Sequence, residues 1–304
     1  MLGYVGSPVS VEDVLYGSEL SLVKQTTDAR MLAMLNLAGI GVMAWDARSV
    51  NPDQPFVYRN THVAVFDRNL RALAGKVRAH AMLAHVRGVP YNSTVQINEQ
   101  NIHPFRFGEV RLAMAHNGDL AGFRDHRFDL LKFIKPDFAR RIEGSTDSEW
   151  IYAILMSFLE QPYGSVDPDD LLHALQKTLH VIREVRANHG ITRSSSVNLM
   201  ACDGDTLMAV RFTFDFGRFE TNALQGSSQF LSQWYTLGRD YGLHEGEWKL
   251  TGGASGADSV LVASEPLTRD TSVWVEVPEY AALLVDRSVE REGRRRARIV
   301  ALDV

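Results

Sequence analysis

The chain has 304 residues, 45% hydrophobic and 23% charged, with a formal net charge of −5. This is globular composition with room for one large domain, and its mildly acidic balance argues against a nucleic-acid partner, whose footprint is usually basic. A lone cysteine, Cys202, excludes an intramolecular disulfide and fits a reducing cytoplasm, and no apolar run reaches the roughly 18 residues of a membrane helix. In chain order, "NPDQPFVYRN" (51–60) is loop-like. "DRNLRALAGKVRAHA" (67–81) puts Leu70, Leu73 and Val77 on one helical face behind a cap at Asp67. "MLAHV" predicts a buried strand, followed by the polar segment 87–104. "VRLAMAH" predicts a second strand that ends in a tight turn at Asn117-Gly118. "TDSEWIYAILMSFLE" (146–160) predicts a helix with a capping box from Thr146 and Glu149 and an apolar face of Ile151, Ile154, Leu155 and Phe158. "DPDDLLHALQKTLHVIREVRANHG" predicts a longer helix ending at Gly190. Strands follow: "SVNLMAC" and "TLMAVRFTF" around Asp203-Gly204-Asp205, then "SVLVAS", "SVWVEV" and "AALLVD". Arg294-Arg295-Arg296 reads as a solvated hairpin turn, and "GGASGADS" as a loop rather than a phosphate cradle. Strands at both ends with helices between them predict an α+β layered fold, a single domain over 1–304.

Three clusters fall at or beyond predicted strand ends: "AHVRG" (84–88), "AHNGDL" (115–120) and "GSTDSE" (144–149). Each alone has an ordinary explanation. Arg87 is a surface arginine, Asn117-Gly118 a turn, and Asp147 a carboxylate on a helix dipole. Together they describe a receptor. An arginine fork grips a carboxylate. An aspartate pairs with an ammonium group. An Asn amide and a Gly N–H converge on a developing oxyanion. The matching ligand is an α-amino acid whose side chain carries a reactive carbonyl, as in glutamine or a γ-glutamyl amide. His85, His103 and His116 match no metal-ligand spacing, so neither a metal nor a cofactor is expected.

The ordered set "LAHVRG…NIHPF…AHNGDL…GSTDSE" resembles the class II, N-terminal-nucleophile glutamine amidotransferases. "AGIGVMAWD", "PFVYRNTHVAVFDRNLRALA" and "VLVASEPLTRDTSVWVEVP" look like the stand-alone branch that includes the γ-glutamyl amidohydrolase of ergothioneine biosynthesis. The resemblance implies a four-layer αββα sandwich and hydrolysis of a γ-glutamyl amide through an N-terminal Cys thioester. It assigns the α-carboxylate to Arg87, the α-ammonium to Asp147 and the oxyanion hole to Asn117 and Gly118. It places His103, within "NIHPF", beside the substrate pocket. The family opening reads roughly Met-Cys-Arg, an apolar residue, then Leu-Gly-Tyr. Aligned on Leu2-Gly3-Tyr4, Met1 takes the apolar position and the nucleophilic Cys is absent. The expectation is a native start three residues upstream, the chain as given being inactive. The alternatives are a glutaminase subunit feeding ammonia to a partner synthase and a γ-glutamyl-binding pseudoenzyme. Homo-oligomerisation is left open. Cys202 is expected to be a buried small apolar group rather than a substitute nucleophile, and loops 88–102 and 214–232 to read the amine half of the substrate.

Overall fold

The computed structural model describes residues 1–31, 35–89, 95–215, 232–287 and 297–304. Its strands are β1 (Leu2–Ser10), β2 (Ile40–Trp45), β3 (Phe56–Asn60), β4 (Arg78–Val86), β5 (Ala113–Gly118), β6 (Ser195–Cys202), β7 (Thr206–Arg211), β8 (Thr213–Phe214), β9 (Trp234–Gly238), β10 (Asp240–His244), β11 (Glu247–Thr251), β12 (Ser259–Ala263), β13 (Val275–Glu276), β14 (Ala281–Asp286) and β15 (Ala297–Ala301). The α-helices are α1 (Arg68–Ala74), the one-turn α2 (Phe123–His126) and α3 (Pro136–Ala139), α4 (Asp147–Phe158) and α5 (Pro168–Asn188).

Two large antiparallel sheets form the centre. The seven-stranded sheet runs β13-β9-β12-β1-β4-β2-β3. The other runs β15-β14-β7-β6-β5, with β8 pairing β6. Between them lies an apolar layer that includes Val5, Met43, Leu83, Ala115, Met200 and Leu207. Strand β4 sits between β1 and β2 and is buried from Ala79 to Val86. A strand covered on both faces needs a near-continuous apolar run, and "AHAMLAHV" supplies one. The outer face of the second sheet is covered by α4 and α5, through Ile151, Ile154, Leu155, Leu175, Leu179 and Ile182. Each such fully buried side chain stabilises by about 1.5–3 kcal/mol. The outer face of the first sheet packs against α1 and the turns near Val14 and Leu22. The order helix, sheet, sheet, helix is the expected αββα sandwich. Among the described residues no helix is long and apolar enough to cross a membrane.

Several local expectations change. The helix expected over 67–81 stops at Ala74, and Arg78–Val86 is one strand. Asp67 does cap α1, accepting from Leu70 N. The cost of the shared segment is visible in Leu73, which is 42% exposed although its spacing placed it on the apolar face. Gly75 accounts for the break, because glycine is a poor helix residue. Asn117 and Gly118 are not a tight turn; they still pair in the ladder, with Asn198 and Val197. Of "SVWVEV", Val275 and Glu276 alone are strand. In α4, Thr146 caps by accepting from Glu149 N, but Glu149 does not return the bond. Its carboxylate instead accepts from the N–H groups of Glu143 and Gly144, at 3.0 and 2.7 Å, and so ties down the approach to the helix. Helix α5 starts at Asp167 as its cap and ends two residues before Gly190. The Arg294–Arg296 hairpin and nearly all of loop 214–232 lie outside the described residues.

Candidate functional site

The ends of β1, β4 and β5 open on one side of the sandwich, and the N-terminus of α4 points at the same place. The cavity there measures about 160 Å³ and is lined by Arg87, Asn117, Gly118, Asp147, His103 and Met1, among others. That volume is well below the 300–1,000 Å³ of sites for drug-sized ligands and suits a single amino-acid-sized group. All five residues singled out in the sequence therefore meet in one cavity, although they span 60 positions of chain from Arg87 to Asp147.

Arg87 follows β4 directly, and its main chain is locked to the segment before β2: Arg87 N donates to Gly39 O and Ala38 N to Arg87 O. Arg87 is a buried residue, and among the described residues its guanidinium donates once, to Gln96 O at 3.1 Å. Burial holds its pKa below the usual arginine value, with the negative charge of Asp147 working against that. Asp147 begins α4. Its Oδ2 accepts from Leu120 N at 2.6 Å and its Oδ1 from Ser148 N at 2.8 Å. Arg87 and Asp147 face one cavity without an ion pair between them among the described residues. Each keeps hydrogen-bonding capacity for a ligand.

Asn117 is half-buried, and its side-chain amide approaches Ser264 Oγ at 3.5 Å. Gly118 is required by close approach. A Cβ there would stand 2.0 Å from Ser196 O. Gly41 plays the matching part beneath the site, since a Cβ on it would meet His103 O at 2.0 Å.

The three histidines form a buried set. His103 stacks on His85 with ring centroids 4.5 Å apart. Its Nδ1 accepts from His116 N at 3.1 Å, so its role here is to hold the main chain of β5. His116 Nε2 lies 3.2 Å from Ser196 O and its Nδ1 2.8 Å from Ser148 Oγ. His85 Nδ1 has no hydrogen-bond partner among the described residues. Burial pushes all three imidazoles below the ordinary histidine value, His85 and His103 furthest. Among the described residues no group of three His, Cys, Asp or Glu side chains is placed to hold a metal ion.

Sequence reasoning missed Glu265 and Ser264. Ser264 N donates to Met1 O at 3.0 Å, which fixes the start of β1 at the cavity wall. Glu265 accepts from Arg30 N and Met31 N, at 3.2 and 2.7 Å, and pins that loop over the cavity. "ASEP" lies just past β12, and its place beside β1 in the sheet order was the signal available. The Met1 amino group is buried here, and desolvation brings its pKa down to about 5 against the opposing charge of Glu265. Cys202 lies elsewhere, between the sheets at the far end of β6, and burial pushes its thiol well above its ordinary value.

Residues 59–215 match the family model described as "Glutamine amidotransferases class-II". The chain belongs to the class-II glutamine amidotransferases. The match includes Arg87, His103, Asn117, Gly118 and Asp147, together with α4 and α5. A yeast relative, "Probable glutamine amidotransferase DUG3" of Saccharomyces cerevisiae, is 25% identical over 300 residues, covering 92% of this chain and 79% of that protein. A solved glutamine aminotransferase class-II domain protein from Silicibacter pomeroyi superimposes with a TM-score of 0.61 at 23% identity, over 100% of this chain and 99% of that one. The glutamine phosphoribosylpyrophosphate amidotransferase of B. subtilis shares the fold at a TM-score of 0.55 and 15% identity, over 99% of this chain and 49% of that one. Both neighbours share the layered fold described above.

Proposed function

We propose that the protein hydrolyses the side-chain amide of glutamine or of a γ-glutamyl conjugate. The observation that carries this reading is the meeting of Arg87, Asp147, Asn117 and Gly118 around a cavity of amino-acid size. In the proposed pose the α-carboxylate takes the free guanidinium donors of Arg87 and the α-ammonium takes Asp147. The γ-carbonyl then lies toward Asn117 Nδ2 and the Gly118 N–H, which stabilise negative charge as the carbonyl becomes tetrahedral. The nucleophile in this reading is a cysteine thiol on the polypeptide just ahead of Met1, with its own α-amine as base. Two residues of extended chain span about 7 Å, enough to carry such a thiol from the wall at Met1 into the cavity. The thiol attacks the carbonyl carbon of the side-chain amide, its proton passes to the α-amine and then to the departing amine half as the C–N bond breaks. Water hydrolyses the thioester to glutamate. The likeness to the ergothioneine branch makes bulky γ-glutamyl conjugates the compounds to screen beside glutamine.

The test is glutamate release by the protein with Met-Cys-Arg placed ahead of Met1. Release from glutamine or a γ-glutamyl conjugate, lost when that cysteine becomes alanine, is the expected result. Binding of L-glutamate without release from any γ-glutamyl amide would leave a binding protein and overturn hydrolysis.

A further inference from the structure

His116 lines the cavity, and both nitrogens of its ring are taken up by hydrogen bonds within the protein. Ser196 O has no hydrogen, so the nitrogen facing it at 3.2 Å, Nε2, carries the proton and donates. In the neutral ring Nδ1 is then an acceptor. It takes the hydroxyl hydrogen of Ser148 across 2.8 Å. Ser148 Oγ also lies 3.2 Å from Asp147 Oδ1. A hydroxyl has one hydrogen, and while His116 holds it, none reaches Asp147. The carboxylate then receives one main-chain N–H on each oxygen, from Leu120 and Ser148, and keeps accepting capacity on both.

We propose that His116 is a positioning residue that, by occupying the Ser148 hydroxyl, keeps Asp147 open to an α-ammonium group. This rests on the γ-glutamyl reading of the cavity. A proton added to Nδ1 reverses the arrangement. Nδ1–H donates to Ser148 Oγ, the hydroxyl turns its hydrogen to Asp147 Oδ1, and no other proton moves. The carboxylate then has an internal donor and a nearby cation where it would receive the ligand. Ammonium and proton therefore compete, affinity falls in acid, and binding at acid pH releases a proton. The groups that face His116 are Asp147 from α4, whose charge favours the imidazolium, and His103 from the segment before β5. His85 and Arg87 of the β4 end lie beyond His103, and β6 presents the neutral Ser196 carbonyl. Burial opposes the charged form, so the reversal belongs below neutral pH.

The experiment measures L-glutamate and glutarate binding calorimetrically at pH 7.5 and pH 5.5, in two buffers of different ionisation heat. Glutarate lacks the α-ammonium group. The expected loss for L-glutamate is more than threefold and stays under about tenfold, the ceiling that a His116 pKa below 6.5 sets at pH 5.5; glutarate should change by less than threefold. His116→Gln and Ser148→Ala should each flatten the L-glutamate response to less than threefold and abolish the acid-side proton release. A loss in His116→Gln as large as that of the parent would assign the response to His85 or His103 and overturn the proposal. A full loss in Ser148→Ala would show a bare charge effect and overturn the hydroxyl link; that variant decides alone should His116→Gln fail to fold. If neither ligand binds at pH 7.5, the γ-glutamyl reading itself fails, a result distinct from pH-independent binding.

Discussion

Replacing Arg87 separates binding from stability. Arg87 as a residue is 8% exposed, yet among the described residues its guanidinium donates once, to Gln96 O, and has no ion-pair partner. Desolvating an unpaired cation is costly, which is why its pKa is held low. A fork has five N–H donors, and those left over match the two oxygens of a ligand carboxylate. Removing the fork should remove charge-assisted bonds worth about 1.5–3 kcal/mol, a roughly ten- to hundredfold rise in the Kd for L-glutamate. The folded chain loses one hydrogen bond, worth about 1 kcal/mol, and is relieved of the buried charge. Arg87→Met should therefore unfold at a urea midpoint equal to or above that of the parent. The assay is calorimetric titration of L-glutamate beside urea unfolding for both proteins. Affinity within twofold of the parent would refute the carboxylate assignment. Lost affinity with a sharply lower midpoint would show that Arg87 holds the loop to Gln96 and does not serve the ligand.

Gly118→Ala should break the β5–β6 pairing near Ser196, because its Cβ lands 2.0 Å from that carbonyl; overpacking of this kind costs about 1–3 kcal/mol, read as a lower urea midpoint together with weaker L-glutamate binding. Acid should destabilise the fold through His85, His103 and His116. Their native pKa values lie below the unfolded value of 6.5, so the unfolded chain takes up protons that the native state refuses. Stability should be flat above pH 6.5 and fall below it, each histidine adding a slope of up to about 1.4 kcal/mol per pH unit; equal urea midpoints at pH 7.5 and 5.5 would contradict neutral native rings. Cys202→Ala should leave glutamate release unchanged in the protein bearing the upstream cysteine, since Cys202 sits between the sheets; a drop in kcat without a change in midpoint would count against that.

The layered fold was legible because burial on both faces leaves its mark on composition. Strands β4 and β6 are nearly continuous apolar runs, and α5 carries both its cap and its stripe. Boundaries failed where one segment serves two elements. Residues 75–81 continue a helical spacing, but pairing with β1 and β2 outweighs it. The cavity residues were legible as types that gain meaning together: an arginine, an Asn-Gly pair and an acid at a helix start. Glu265 was not, because its work is to hold main-chain N–H groups of a loop more than 230 positions away. The role of His116 depends on which ring nitrogen meets a carbonyl, and spacing along the chain carries no such information.

The subsites belong to different layers. Arg87 leaves the first sheet, Asn117 and Gly118 belong to the second, and Asp147 rides on the helix outside it. The span between the proposed grips on the ligand is thus set by what separates the sheets, a layer that mixes the small side chains of Ala81, Ala113, Ala115 and Ala209 with the bulk of Trp45, Met43 and Met200. That interior acts as a calliper. On the γ-glutamyl reading, a methyl group added there should change the length of amino acid the site accepts, measured as a shift in relative affinity for L-glutamate and L-aspartate, without touching any residue placed at the ligand. Divergence among relatives in substrate size should accordingly be sought among these small buried side chains as well as in the loops around the cavity mouth.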